Sequence, residues 1–309
     1  MNRRRLGLLV FLLVSFGASW LIALPLWLGA GLMEPSAPLI AVGLMFTPTL
    51  GTIAALLIER PARPFANIGL WPLGRPGRFI GFLALAVLVP AALALVALPV
   101  GALLGVFPAD FAHFSGFEAL LQSQAFLAGM DMPAIPIGLL VLAQLAIIPL
   151  GAILNLPPSL GEEIGWRGYL FPRLQDRWGT TSAILLSGLI WGLWHAPLIL
   201  LGYNYPSASG PLALLLMVGM CTVFGAIFSW LRARSGSVWP AAIAHGTFNA
   251  TASAPLLFVA LGGSIDTVHA TALGWSGWIV PAVVVVVLVL TKRFTPVVLP
   301  APRPRTPLR

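Results

Sequence analysis

Three short polar stretches of this sequence hold side chains able to activate a water molecule. The first is Gly161-Glu162-Glu163-Ile164-Gly165-Trp166-Arg167-Gly168, the second Trp191-Gly192-Leu193-Trp194-His195-Ala196-Pro197, and the third His245-Gly246-Thr247-Phe248-Asn249. On a helix, Glu163 and Arg167 stand four apart in the order that favours an ion pair. Glu162 then points about 100° away and is left for other work. His245 and Asn249 have the same spacing, which puts an imidazole and a carboxamide on one helix face. Such a set suits hydrolysis. A carboxylate takes the proton of an attacking water, and His or Asn steadies the oxyanion that forms. Glu162, His195 and His245 also offer the donor types that zinc takes, so metal-assisted hydrolysis stays open beside the glutamate-only route. Neither Ser187 nor Cys221 has a recognisable nucleophile motif around it. The sequence has no H-E-x-x-H, no phosphate-binding glycine loop and no dinucleotide fingerprint.

The elements that must position these groups are membrane helices. Of 309 residues, 59% are hydrophobic and only 8% charged, with a mean hydropathy of +0.96. That composition excludes a cytosolic enzyme, a disordered chain and a disulfide scaffold. Runs long enough for a bilayer about 30 Å thick occur at 6–32, 38–58, 79–107, 134–157, 181–201, 211–231, 237–260 and 275–291. Backbone in lipid must satisfy its own hydrogen bonds, so these are expected to be helices of a polytopic all-α bundle. Every Arg and the single Lys lie in alternate connections: 3–5, 60–78, 167–177, 232–234 and 292–309. The positive-inside rule makes those cytoplasmic, which predicts about eight spans with both termini inside. The net charge of +8 is therefore spread over membrane-flanking loops, and nucleic acid is not expected as a partner. Lone Cys221 forms no intramolecular disulfide. The first apolar run is too long for a secretory signal and reads as an uncleaved helix. Residues 1–293 read as one transmembrane domain, and 294–309 as a Pro/Arg-rich cytoplasmic tail drawn to anionic lipid.

Local signals bring the stretches to one depth. Pro157 and Pro158 interrupt the fourth run and Ser159 can cap the next helix, which would put both carboxylates in a first turn, near the positive end of a helix dipole. That helix runs to about Trp178. Gly179 is the turn, with Glu163 sixteen residues before it and His195 sixteen after. In a hairpin of regular helices both lie about 24 Å from the turn. His245 and Asn249 lie nine and thirteen residues past Gly236, or about 14–20 Å along their helix. A shared pocket opening toward the cytoplasm is expected, with 134–157 forming the outer half or a tilted extension of the fourth span.

With the residues in this order, the sequence resembles the CPBP family, also called Abi or CAAX-protease-like. These are intramembrane proteases that include the type II CAAX prenyl endopeptidase. The resemblance covers about 155–255 and rests on Glu162-Glu163-x-x-x-Arg167, Trp191-x-x-x-His195 and His245-x-x-x-Asn249. It implies that Glu162 activates water beside His195, that His245 and Asn249 stabilise the oxyanion, and that Glu163 and Arg167 orient the site. The family usually has Phe where Trp191 stands. A peptide or protein substrate and membrane lipid are the implied partners. Arg-rich composition points to a GC-rich bacterial genome and so to an inner-membrane location. Two other classes use similar residues: a proton-coupled transporter, in which Glu and His form a proton path, and a non-catalytic membrane scaffold.

Overall fold

The computed structural model describes residues 2–131 and 135–297. Residues 298–309, which hold Arg303, Arg305 and Arg309, lie outside the described residues. The chain forms the expected all-helical bundle: α1 Arg3–Leu28, α2 Ala37–Leu44, α3 Thr47–Glu59, α4 Pro76–Leu103, α5 Ser115–Leu127, α6 Ile137–Ala146, α7 Ile148–Leu154 and α8 Leu156–Glu163. A π-helical stretch, Ile164–Leu170, comes next, then α9 Phe171–Trp194, α10 Gly210–Ser235, α11 Trp239–Ala250 and α12 Ile279–Leu290. Among the described residues, five segments are long and apolar enough to cross a membrane by length and composition: Arg3–Leu28, Ala37–Glu59, Pro76–Leu103, Ile137–Leu154 and Gly210–Ser235. The runs at 181–201, 237–260 and 275–291 form shorter or interrupted helices.

Gly179 breaks α9 with a φ of 76°, in the left-handed region that a glycine enters without steric cost. Gly236 caps α10 in the same region, and its N–H donates to the Arg232 carbonyl. Both glycines turn the chain where the sequence placed turns. A correction concerns the first polar stretch. Glu162 and Glu163 close α8 instead of opening a helix, and Ser159 makes no capping hydrogen bond. The fourth run and the polar stretch are one nearly continuous rod, so the carboxylates lie deep along it and not at an N-terminal dipole.

Hydrogen bonds define two ends. At one, Val238 N–H donates to the Gly69 carbonyl at 2.9 Å and Val297 N–H to the Ala233 carbonyl at 2.8 Å. Gln175 donates to the Phe294 carbonyl at 3.0 Å, and Arg173 pairs with Glu59 at 2.7 Å. Every Arg-bearing connection among the described residues contributes to this end, apart from the N-terminal one. Phe294 is buried against Phe171, so the first residues of the stretch read as a tail dock on the bundle. At the other end, Tyr205 donates to the Leu273 carbonyl at 3.1 Å, Thr267 to the Asn204 carbonyl at 2.6 Å, and Trp27 to the Pro197 carbonyl at 2.9 Å. No Lys or Arg lies in the connections there.

The core between the ends is aromatic. Trp166 meets Phe11 edge-on at 5.6 Å and Trp194 at 5.7 Å between ring centroids, geometry that suits ring quadrupoles. Glycines let neighbouring backbone approach the rod that carries the glutamates. A Cβ on Gly161 would lie 2.8 Å from the Met45 carbonyl oxygen, and one on Gly168 would lie 2.9 Å from that of Ile68. Thr49 uses the closeness to donate to the Gly161 carbonyl at 2.6 Å. Small residues of this kind set helix contacts inside membranes, where hydrophobic burial drives little association.

Candidate active site

Five of the six residues singled out by the motifs hold or line one centre, and Arg167 braces it from behind. Arg167 Nη1 donates to Glu163 Oε1 at 2.8 Å. His245 Nδ1–H donates to the same oxygen at 2.9 Å. Glu163 is fully buried, and Arg167 and His245 nearly so. The charges therefore depend on one another, since either alone would be costly in so dry a place. Glu163 Oε2 and Arg167 Nε are buried without a hydrogen-bond partner among the described residues. The guanidinium lies 4.1 Å over the Trp191 ring and 5.4 Å from that of Phe228, a cation–π arrangement that offsets part of its desolvation. Phe228 also stacks on His245, with centroids 5.6 Å apart and planes at 19°.

Glu162 faces the other way, as its position predicts, and is not left loose. Its Oε2 accepts from the indole N–H of Trp191 at 2.7 Å and of Trp166 at 3.2 Å. Among the described residues Oε1 has no protein partner. The sequence suggests only a packing role for Trp191. That it holds a carboxylate 29 residues away is not legible there, because no local spacing signals a tertiary indole donor. Trp166 stands within the first motif, and its separation of four from Glu162 is a signal that sequence reasoning passed over.

His195 Nδ1–H donates to the Trp191 carbonyl at 2.8 Å. The neutral ring then carries its lone pair on Nε2. Its ring lies between Trp191 and Trp194, with centroids at 5.6 and 4.8 Å. Glu162 and His195 share a cavity wall but make no hydrogen bond to each other. Asn249 lies on the same face of α11 as His245, and its side chain makes no hydrogen bond among the described residues.

A cavity of about 890 Å³ joins these groups. Glu162, Trp191, His195, His245 and Asn249 line it, with Asn155 beside them. The sequence led us to expect an opening toward the Arg-bearing connections. The lining also takes in helix residues such as Ala94, Met217, Met220 and Phe248, and, from connections without Arg or Lys, Leu32, Tyr203, Asn204, Ile265 and Thr267. At the Arg-bearing end stand the tight turns at Gly179 and Gly236 and residue Val297, bonded to Ala233. Among the described residues, no three His, Cys, Asp or Glu side chains are grouped to hold a metal ion. Each cavity histidine spends Nδ1 on another partner and keeps Nε2 free.

Residues 138–251, the stretch that carries all six motif residues, match the family model described as type II CAAX prenyl endopeptidase Rce1-like. Over this stretch the chain is similar to that family. The resemblance seen in the three motifs is thus found independently over the helices that build the cavity. A CAAX prenyl protease 2 from Methanococcus maripaludis is 50% identical over 44 residues, which cover 14% of this chain and 16% of that protein. The chain therefore matches less than a fifth of that relative's length. With its apolar helices, the chain is an integral membrane protein.

Proposed function

We propose that this protein is an intramembrane endopeptidase that hydrolyses a peptide bond with water activated by Glu162. The observation that carries the reading is a buried carboxylate with one oxygen fixed by two indole N–H groups and the other left toward a cavity shared with two imidazoles and a carboxamide. The Rce1-like segment supports the same class over a transporter or a scaffold. Glu162 Oε1 accepts a proton as the water oxygen bonds to the scissile carbonyl carbon. The carbonyl π electrons move to oxygen, and Asn249 Nδ2–H donates to that oxyanion, with the His245 ring, held by Glu163, beside it. Collapse of the tetrahedral species breaks the C–N bond, and the proton held by Glu162 passes to the leaving amine. His195 Nε2, with its lone pair toward the cavity, orients the water. Glu163 and Arg167 never touch substrate; they hold His245 in place. The bundle lies in a bacterial inner membrane, and 1–293 acts as one domain.

Glu162→Gln keeps the shape and removes the base. Loss of a general base costs about 10²–10⁴-fold in rate. The test compares the termini of membrane peptides by mass spectrometry in cells expressing wild type or Glu162→Gln. New termini present only with wild type are expected. Identical termini, with both proteins folded and equally abundant, would refute the proteolytic reading.

A further inference from the structure

We propose that Asn155 is a substrate-binding residue, whose carboxamide oxygen accepts a backbone N–H of the bound peptide about three residues from the bond that is cut. The assignment rests on the proteolytic reading. Asn155 stands in helical backbone, with φ −81° and ψ −6°, at the junction of α7 and α8. It lines the cavity together with Glu162, His245 and Asn249, and no part of the hydrolytic step uses it.

The amide can face only one way. Asn155 Nδ2 donates to the Gly151 carbonyl at 2.9 Å, and the backbone N–H of Asn155 donates to the same oxygen at 2.9 Å. A carbonyl oxygen can only accept, so the NH2 group must be the branch that meets it, and Oδ1 is the branch left over. Among the described residues Oδ1 has no hydrogen-bond partner. Close packing against α11 fixes where this oxygen stands. A Cβ on Gly246 would lie 2.7 Å from the Ala152 carbonyl oxygen and 3.4 Å from Asn155 Cβ, and one on Gly151 would lie 2.9 Å from Ala250 Cβ. Asn155 is therefore held against the residue that follows His245.

Helix geometry sets the distance to the chemistry. Asn155 comes seven residues before Glu162. At about 100° per residue the two share a face of the rod to within about 20°, and at about 1.5 Å per residue they stand about 10 Å apart along it. An extended peptide advances about 3.3 Å per residue, so about three residues span the gap. A peptide in this cavity brings its N–H groups out of water, and each one left without an acceptor weakens binding. Glu162 and His195 serve the attacking water, and the hydroxyls of Thr251 and Thr267 donate to the Phe248 and Asn204 carbonyls. The Asn155 oxygen is free for the substrate. Being neutral, a carboxamide accepts an N–H without competing for the proton that Glu162 takes. The fitting substrate is an extended segment with a backbone N–H at this position, and a proline or N-methylated residue there is rejected.

The probes are a synthetic peptide spanning one of the termini produced only by wild type, and depsipeptides in which an ester oxygen replaces one backbone N–H at a time, never at the cut bond. With wild type, one replacement about two to four residues from the cut should lower kcat/KM about two- to tenfold, chiefly through KM. Asn155→Thr keeps a hydroxyl that can bond back to the Gly151 carbonyl, as Thr222 and Thr247 do to carbonyls four residues before them, but withdraws the reaching oxygen. Its melt should match wild type, its kcat/KM for the parent peptide should fall by the same factor, and the sensitive ester should cost it less than about twofold more. Asn155→Ala gives the same comparison if the threonine variant does not fold. Equal ester losses in wild type and in the folded variant would overturn the proposal and leave Asn155 as a brace between α7 and α8. A wild type that cuts none of the peptides refutes the protease reading and this residue's role with it, whereas an active wild type with equal ester losses refutes the role of Asn155 alone.

Discussion

Arg167→Ala should cost stability in proportion to how dry its partner is. The Arg167 and Glu163 side chains are 3% and 0% exposed, and their atoms stand 2.8 Å apart. Removing the guanidinium leaves a carboxylate with one remaining donor, His245, and one oxygen already without a partner. Breaking a buried pair on one side costs about 3–5 kcal/mol, because an uncompensated charge remains. At about 2 °C per kcal/mol, the low end for large domains, the melting midpoint in detergent should fall by about 6–10 °C. Glu163→Gln/Arg167→Met, which removes both charges together and keeps volume, should recover at least half of that loss, since a neutral replacement leaves nothing to solvate. In the single variant Glu163, the anchor of His245, is no longer held by Arg167, so turnover should fall further than the melt implies. A melt for Arg167→Ala within about 2 °C of wild type, or a double variant no better than the single, would refute the idea that the pair is an interdependent buried brace.

The geometry sets three other outcomes. Trp191→Phe keeps a ring between Arg167 and His245 but deletes the stronger of the two donors to Glu162. A hydrogen bond to a charged group contributes about 1.5–3 kcal/mol, so kcat should drop about tenfold or more with KM nearly unchanged; an unchanged kcat would count against Trp191 as the residue that positions Glu162. A methyl group on Gly225 would collide with Arg167 Nη2, so Gly225→Ala should lower the melting midpoint by several degrees, and a wild-type melt would show that the guanidinium can shift. The loop carboxylate Asp110 is held well below the usual range, first by the His113 backbone N–H and then by Ser115. A depressed folded-state value means that its contribution is present above the ordinary carboxylate range near 4 and is lost as pH falls toward the folded-state value. Amide-exchange protection at His113 should hold from pH 7 to about 4 and decline only below, and its loss near pH 5 would contradict this.

What could be read in advance divides along a physical line. Transfer energy is local and additive, so the apolar runs and the helical class were legible, and so were helix-spaced pairs such as Glu163 with Arg167. Gly179 and Gly236 announced turns because few other residues enter the left-handed region at low cost. The grip of Trp191 on Glu162 is a contact between distant segments, and no periodicity encodes it. Hydropathy also has no sign along the membrane normal: helix spacing from Gly179 and Gly236 located Glu163, His195 and His245 near a common depth, and the expected opening toward the cytoplasm rested on that spacing alone. The burial of Phe294 was concealed by its Pro/Arg-rich neighbourhood. The broken helices around 181–201 and 237–260 likewise arise from polar residues and prolines that the bundle, not the lipid, accommodates.

The π-helical stretch at Ile164–Leu170 bears on how this chain can be engineered. A π turn is an α-helix that has accepted an extra residue, so the rod before it and the rod after it are held in a phase that an unbroken α-helix would not give. Deleting one residue between 164 and 170 would leave both flanking sequences intact yet rotate one against the other by about 100°. The face that carries Glu162 could then keep its neighbours only if Phe171 and the hairpin beyond it lost theirs. Chimeras that splice a foreign segment into this chain should therefore place their junctions at Gly179 or before Leu156, and should count residues across the intervening stretch as strictly as they would count bases in a reading frame.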